Sequence, residues 1–372
     1  MKRVLHYVGR MDIGGMESLL MTMYRNIDRN KIQFDFAVHT REKCLYDDEI
    51  IALGGKFFRF PIMRKNPWRY KKAWDDFWKK HKDEYSAFHF HSPTFANVIA
   101  MKSAKKHGVP IIIAHCHNTH ANRGKLQFIH DIVHKYHSKH MERYATHFFA
   151  CSKPAAIWGF GPDYQKVFVM KNGIDLSKFS YDGKVRQQVR EKLFLEDKFV
   201  VGNVARLATA KNQSFLLDIF FELKKTTKNA SLMLVGDGPD KDGLTEKAKQ
   251  LDIESDIIWT GSQKEIVGFL SAMDCFVFPS LHEGLGISLV EAQAMGIPTL
   301  TSKDRVPEEV KMSEYLEFLS LDLDAKKWAE KISNIDLPLG GYTHDAVRRA
   351  GYGIIDIVEK YSEFILSYRN EN

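Results

Sequence analysis

Three features of the sequence predict an α/β chain of two domains, each a parallel sheet wrapped by crossover helices in the Rossmann-like manner. Short apolar runs alternate with segments of helical period. The runs form two series separated by a polar connector. The length, 372 residues, exceeds what one ordinary core requires. In the first series the expected strands are Val4–Val8, Phe34–Val38, Ala87–Phe90, Ile111–Ala114, His147–Ala150 and Val167–Met170. The second series reads Phe199–Val204, Ser231–Val235, Ile257–Thr260, Cys275–Phe278 and Thr299–Thr301. The connector runs from Ser177 to about Asp197, so one domain is expected over 1–180 and another over 198–353. The segment from Ile354 to Tyr368 has helical period, and periodicity alone does not assign it to either domain.

Composition narrows the class. The content is 44% apolar and 27% charged, with 25 Phe, 14 Tyr and 6 Trp, which is that of a globular protein rather than a disordered one. No apolar run approaches the roughly 18 residues of a spanning helix. The opening Met1-Lys2-Arg3-Val4-Leu5-His6-Tyr7-Val8 suits a buried first strand better than a signal peptide, so a cytoplasmic protein is expected. The four cysteines, Cys44, Cys116, Cys151 and Cys275, are scattered without a CxxC pair, which fits a reducing compartment and no cysteine zinc site.

Charge is divided unevenly. Residues 1–180 carry 30 Lys and Arg against 16 Asp and Glu, a balance of +14; residues 181–372 carry 24 against 31, a balance of −7. The basic excess is densest over residues 56–85, where Arg64, Lys65, Arg69, Lys71, Lys72, Lys79, Lys80 and Lys82 are interleaved with Phe57, Phe58, Phe60, Trp68, Trp74, Phe77 and Trp78. Two readings are open: a surface for an anionic membrane or nucleic acid, or a solvated amphipathic helix that buries its Trp face in its own core.

The segment richest in chemistry is Asp274-Cys275-Phe276-Val277-Phe278-Pro279-Ser280-Leu281-His282-Glu283-Gly284-Leu285-Gly286-Ile287-Ser288-Leu289-Val290-Glu291, continuing to Gly296 and Pro298. It reads as a buried strand, a Gly-rich turn and a helix closed by Gly296. In open α/β sheets ligands bind outside the carboxyl ends of strands, where this turn lies, and helix-opening amides there can hold a diphosphate. Glu283 and Glu291 flank the opening and suit a hydroxyl-rich ligand, since carboxylates accept charge-assisted hydrogen bonds from sugar or ribose.

The Glu-x7-Glu frame from Glu283 to Glu291 resembles the signature of the GT4-type glycosyltransferases, which have the GT-B fold of two Rossmann-like domains facing a central cleft. Further segments resemble the same family in order: Gly14-Gly15-Met16-Glu17, Val109-Pro110 with His115-Cys116-His117-Asn118-Thr119, Asn172-Gly173-Ile174-Asp175, Gly202-Asn203-Val204-Ala205-Arg206-Leu207 with Lys211-Asn212, and Gly236-Asp237-Gly238-Pro239. The resemblance implies that Arg206 and Lys211 bind the donor diphosphate and stabilise the leaving nucleotide, so that neither metal nor cofactor is required. It further implies that Glu291 binds the ribose and that Glu283 lies near the donor sugar. The amides of Leu285, Gly286 and Ile287 would contact sugar or phosphate, Gly15 would allow close approach to the phosphates, and His117 would stand between donor and acceptor. His115 and His120 crowd the same place and are alternatives for that histidine. Leu285 stands where many relatives have Phe, and Lys303-Asp304-Arg305-Val306-Pro307-Glu308 lacks the usual Gly-Gly. By resemblance, the final helix crosses back onto the N-terminal domain. The nearest likeness is to capsule and exopolysaccharide enzymes, which implies a retaining transfer from a nucleotide sugar, UDP-linked by family frequency, to a lipid-linked saccharide acceptor, at the inner leaflet and without nucleic acid.

Other readings stand beside this one. His130, His134, His137 and His140 recur at helical spacing, but without a His-Glu-x-x-His frame they read as structural, as do His89 and His91, which share one face of a strand. A dinucleotide-dependent oxidoreductase fails because Gly236-Asp237-Gly238-Pro239 lacks the third glycine of that fingerprint. A GT-B sugar-nucleotide epimerase would need a carboxylate set that is not visible. A nonenzymatic polyanion-binding protein would leave the donor-type motifs unexplained.

Overall fold

In the computed structural model, residues 1–12, 14–118, 127–162, 164–336, 338–341 and 343–368 are described. Thr119 and His120 lie outside the described residues. The chain forms two compact units, Met1–Gly173 with Ile354–Asn372, and Ile174–Gly353.

The first unit is built on β1 (Lys2–Tyr7), β2 (Ile32–Val38), β3 (Phe57–Arg59), β4 (Ala87–Ser92), β5 (Ile111–Cys116), β6 (His147–Ala150) and β7 (Val167–Val169). All pair in parallel, in the order β3-β2-β1-β4-β5-β6-β7. β2 and β5 are buried along their whole length because helices cover both faces. The one carboxylate within β2, Asp35, is fully buried and fully partnered. It accepts from the Arg3 guanidinium, from the Tyr85 hydroxyl at 2.7 Å and from the Lys56 amide at 2.8 Å. Such satisfaction is what makes a buried charge tolerable.

The helix Pro67–His81 shows where most of the aromatic rings of residues 56–85 go. Asn66 caps it by accepting from the Arg69 amide, and Pro67 opens its first turn. Tyr70, Trp74, Phe77 and Trp78 follow at helical spacing and are buried, with Phe60 stacked on Trp74 at 3.7 Å between centroids. Those aromatic rings form the unit's own core, so they are not available to a lipid surface. Only Trp68 among the tryptophans of this helix stands out, 84% exposed, beside exposed Arg64, Lys65, Lys71 and Lys72.

The helix Ile354–Ser367 packs Ile354, Ile357, Val358, Tyr361 and Ile365 into the first unit's core. The Lys2 ammonium donates to the Ile365 and Tyr368 carbonyls, both at 2.7 Å, placing a cation where the helix exposes its carbonyls. Among the described residues no helix is long and apolar enough to cross a membrane.

The second unit holds β8 (Phe199–Val204), β9 (Ala230–Val235), β10 (Ile257–Gly261), β11 (Cys275–Phe278), β12 (Thr299–Ser302) and β13 (Leu316–Leu319). The order is β10-β9-β8-β11-β12-β13, again all parallel. Asp274 anchors the switch between β8 and β11: its carboxylate receives Arg186, Arg190 and the Val200 amide. At Gly202 a side chain would collide with Met273, so glycine lets β8 carry the helix packed against it. The strands expected from the sequence are all present. Two edge strands, β3 and β13, were not anticipated: Phe57 and Phe58 of β3 belong equally to the basic and aromatic stretch over 56–85, and Glu317 interrupts the apolar run of β13.

Five histidines of the first unit are held neutral. Burial pushes His6 and His117 down to about 3, and His89, His91 and His115 well below their ordinary 6.5. The unfolded chain protonates these rings near pH 6.5 and the folded chain does not, so their stability contribution is present above pH 6.5 and lost as pH falls below it. Each ring should cost about 1 kcal/mol of stability between pH 7.5 and 5.5. Denaturant unfolding at the two pH values checks this, and equal midpoints would contradict it.

Candidate functional site

In an open sheet the ligand crevice lies where the strand order reverses, outside the carboxyl ends of the two central strands. In the second unit those strands are β8 and β11, and the loops that follow them, 205–212 and 279–286, carry most of the residues singled out from the sequence. The loops are tied together. The Ala210 carbonyl accepts from the Leu281 amide at 2.8 Å and from the Ser280 hydroxyl at 2.7 Å, and the Asn212 side chain donates to the Pro279 carbonyl at 3.0 Å.

Across this seam the Lys211 ammonium meets the Glu283 carboxylate at 2.5 Å. The Ser280 hydroxyl lies 2.7 Å from the same oxygen, Oε1, as well as from the Ala210 carbonyl, and its single proton serves one of the two at a time, while the ammonium lies 5.4 Å from the centre of the Phe278 ring. Glu283 is buried and Lys211 is part-exposed, so the pair presents its cationic side outward. Arg206 is exposed, and its side chain has no hydrogen-bond or ion-pair partner among the described residues. Its carbonyl receives the Gln213 side chain at 3.1 Å. The site therefore holds one cation braced by a carboxylate and one that is unengaged.

The turn after β9 closes against the first loop. Its amides and carbonyls pair Leu207 with Asp237 and Asp240 with Leu207. A side chain at Gly236 would strike the Ala205 carbonyl, and one at Gly238 the Leu207 carbonyl. The two glycines are thus required by backbone packing, which the sequence pattern alone did not reveal.

The helix Ile287–Ala294 begins at Gly286, whose φ of +81° lies in the left-handed region that glycine favours. No side chain caps this end, and Leu285 is buried beneath it. Glu291 follows one turn in. Glu291 is partly buried, and that burial pushes its carboxyl up to about 7. It has no side-chain partner among the described residues. A carboxyl this desolvated and unpartnered is a ready acceptor for ligand hydroxyls.

Gly15 and His117 belong to the first unit. Gly15 opens the helix Gly15–Asn26, again without a side-chain cap, and a Cβ there would meet open space. The His117 amide donates to the Ser92 carbonyl at 3.1 Å, its Nε2 meets His91 Nδ1 at 2.8 Å, and its Nδ1 is buried without a partner among the described residues. His115 is fully buried and bonded to His89, so of these two His117 is the more accessible. Ser280 and His6 escaped the sequence reading. His6 falls on the same face as His89 through the register of β1 with β4, which the sequence alone does not display. His134 and His137 bond backbone groups: the Phe95 amide donates to His134, which donates to the Trp158 carbonyl, and His137 donates to the Phe95 carbonyl. Those two tie loops to their helix.

Comparison with known proteins places the chain. Residues 13–178 match the model of Glycosyltransferase Family 4, and residues 185–335 match that of Glycosyl transferases group 1. EpsF of Bacillus subtilis (strain 168), assigned as a glycosyltransferase, is 34% identical over 343 residues, covering 89% of this chain and 87% of its own. The chain belongs to this glycosyltransferase family. The glycosyltransferase is also 25% identical, over 59% of its length and 58% of the relative's, to a UDP-Gal:alpha-D-GlcNAc-diphosphoundecaprenol alpha-1,3-galactosyltransferase of Escherichia coli. Its fold is the GT-B fold: the crystal structure of Anabaena Alr3699/HepE with UDP-glucose superimposes with a TM-score of 0.78 over 99% of this chain and 100% of that one, at 17% identity. Membership excludes the oxidoreductase and the nonenzymatic polyanion-binding readings.

The Lys211–Glu283 contact yields a test. Lys211→Met leaves a buried carboxylate unpaired and should cost about 1–3 kcal/mol of stability. Adding Glu283→Gln to that variant should recover part of the loss. A double-mutant cycle by chemical denaturation measures the coupling, and strictly additive losses would contradict a direct pair.

Proposed function

We propose that this glycosyltransferase moves a sugar from a UDP-linked donor to a lipid-linked saccharide, with retention of anomeric configuration and without a metal ion, in the assembly of a bacterial surface polysaccharide. The observation that carries the reading is the pairing of an unengaged Arg206 with the braced Lys211 beside an uncapped helix start, one turn from the unpartnered Glu291. A braced lysine, an unengaged arginine and free helix amides can take up the charge that develops on a departing diphosphate, the role a divalent ion would otherwise fill. Glu291 would accept hydrogen bonds from the ribose hydroxyls. Glu283 would serve the donor sugar with its second oxygen, the first being held by Lys211 and Ser280. The amides of Leu285, Gly286 and Ile287 would meet sugar or phosphate. In the first unit, Gly15 would admit the phosphates closely and His117 would serve the sugar.

The UDP-linked donor and lipid-linked acceptor are supported by the Escherichia coli relative, whose name states both, and the donor also by the UDP-glucose bound to the Anabaena structure. A cytoplasmic enzyme resting on the anionic inner leaflet agrees with the basic first unit, where exposed Arg64, Lys65, Lys71 and Lys72 surround Trp68.

One transfer assay tests the reading: purified protein, a panel of UDP- and GDP-sugars, and a polyprenyl-diphosphate-linked saccharide carried in vesicles, with excess chelator. A UDP-sugar should be used, the product should keep the donor's anomeric configuration by NMR, and anionic vesicles should support faster transfer than neutral ones. Arg206→Ala should lower kcat/KM by about 10²–10³. Inverted product, or activity lost to chelator and restored by Mg²⁺, would contradict the chemistry. Equal rates on both vesicles would remove the membrane contact.

A further inference from the structure

The histidines of the first unit are placed with a regularity that packing alone does not require. His6 stands on β1, His89 and His91 on β4, His115 on β5, and His117 one residue beyond it. Register pairs His6 with His89 and His91 with His115. Strand parity then sets them on one face of the sheet, the face packed by Tyr361 and Ile357.

They join in two rows. In the first, His117 Nε2 meets His91 Nδ1 at 2.8 Å and His91 Nε2 meets His6 Nδ1 at 3.0 Å. In the second, His115 Nδ1 meets His89 Nε2 at 3.0 Å and His89 Nδ1 meets the Tyr361 hydroxyl at 3.0 Å. The rows stack on each other, with centroids 3.9 Å apart both between His89 and His91 and between His115 and His117. The outer nitrogens of the first row, His117 Nδ1 and His6 Nε2, are buried and have no partner among the described residues.

A hydrogen bond between two ring nitrogens needs one N–H and one lone pair, and a neutral imidazole has one of each. Among the described residues no carboxylate bonds to any of these rings, and burial keeps them neutral. A dication would enter a buried pocket of uncharged ligands with no carboxylate behind them, although the ligand atoms of His91, His115 and His117 lie within 4.8 Å of one another. The tautomers of the first row are therefore not independent. In one arrangement His117 carries N–H at Nδ1, accepts at Nε2 from His91, which accepts from His6, and His6 Nε2 is bare. In the other, each bond is reversed: His117 Nδ1 is bare and His6 carries N–H at Nε2. Exchange between the two would need a proton acceptor at His6 Nε2, which is buried without a partner among the described residues, so the row rests in one arrangement and its three tautomers are set together.

We propose that His6, His91 and His117 form a tautomer-coupled relay, in which His6 and His91 are positioning residues that set whether His117 offers a hydrogen-bond donor or acceptor at Nδ1. The catalytic consequence rests on His117 serving the sugar site; the coupling itself does not.

The test uses the full chain labelled with ¹⁵N-histidine and read by long-range ¹H–¹⁵N correlation between pH 6 and 8. In the wild type, His117 should show one neutral tautomer that does not titrate, with a measurable nitrogen–nitrogen coupling across its bond to His91. His6→Phe, two rings away, should shift the His117 ring nitrogens, and His6→Gln, which can still give or accept one bond, should restore them. His6→Phe should also lower kcat about 10- to 100-fold while KM for the nucleotide sugar holds. A His117 that titrates near 6.5, no coupling across the bond in the wild type, unchanged His117 shifts in folded His6→Phe, or a stoichiometric metal in the purified protein would each overturn the relay. If the coupling is present but His117→Ala turns over normally, the relay stands and the assignment of His117 to the sugar site falls.

Discussion

The donor-type site hangs on one carbonyl. Ala210 lies within hydrogen-bond reach of both the Leu281 amide and the Ser280 hydroxyl, so parting the loop after β8 from the loop after β11 breaks the Leu281 bond and takes one acceptor from the buried Ser280. Everything else in the second unit's site follows from that seam. It brings Lys211 against Glu283, directs Ser280 to the same carboxylate oxygen, and leaves the start of the helix at Gly286 open. The seam exists because β8 and β11 are neighbours at the point where strand order reverses, and Asp274 pins that junction with two arginines. Parallel topology, in other words, delivers two loops from distant sequence to one place, and short hydrogen bonds make the place rigid.

Charge is distributed through the site in graded form. Lys211 is already balanced, Arg206 is not, and Glu291 is desolvated enough to be pushed up to about 7. A balanced cation costs little to keep in the empty site and holds Glu283 in one orientation. An unbalanced cation is where an incoming anion gains most. In the first unit the opposite strategy holds: five imidazoles are kept uncharged by burial and satisfy one another, with Tyr361 closing one row. The consequence is a polar layer inside a sheet otherwise packed by Val, Ile and Phe, in which seven of the ten ring nitrogens find a neighbour and His6 Nε2, His115 Nε2 and His117 Nδ1 have none among the described residues.

Much of the fold was legible in the sequence, and the reasons are physical. Long apolar runs such as Ile111–Cys116 and Ala230–Val235 announce strands buried on both faces, and all the strands so marked are present. The edge strands β3 and β13 were not legible, since Phe57 and Phe58 of β3 sit within a basic and aromatic stretch and Glu317 breaks the apolar run of β13. The stretch over 56–85 was ambiguous because a helix that buries Trp74 and Trp78 and exposes lysines has the same composition as one that lies on lipid; only the cap at Asn66 and the stacking of Phe60 on Trp74 separate the two. In the site, Lys211 and Glu283 could be read as members of separate motifs, but their contact could not, because they stand 72 positions apart. The histidine rows were missed for the same reason. His89 and His91 share a face by parity, yet that their partners are His6 and His115 depends on register between strands, which no local pattern encodes.

The central claim is that the seam between the β8 and β11 loops holds a nucleoside diphosphate, with Glu291 on its ribose. The most direct measurement is isothermal titration of UDP into the wild type and into Glu291→Gln, without metal, at pH 6 and pH 8. The account predicts one saturable site, tighter at pH 8 because the carboxylate form of Glu291 is the better acceptor, and a loss of about tenfold or more in the variant together with that pH dependence, as expected for a charge-assisted bond worth roughly 1.5–3 kcal/mol. Equal affinity in wild type and variant would contradict it and would move the nucleotide elsewhere.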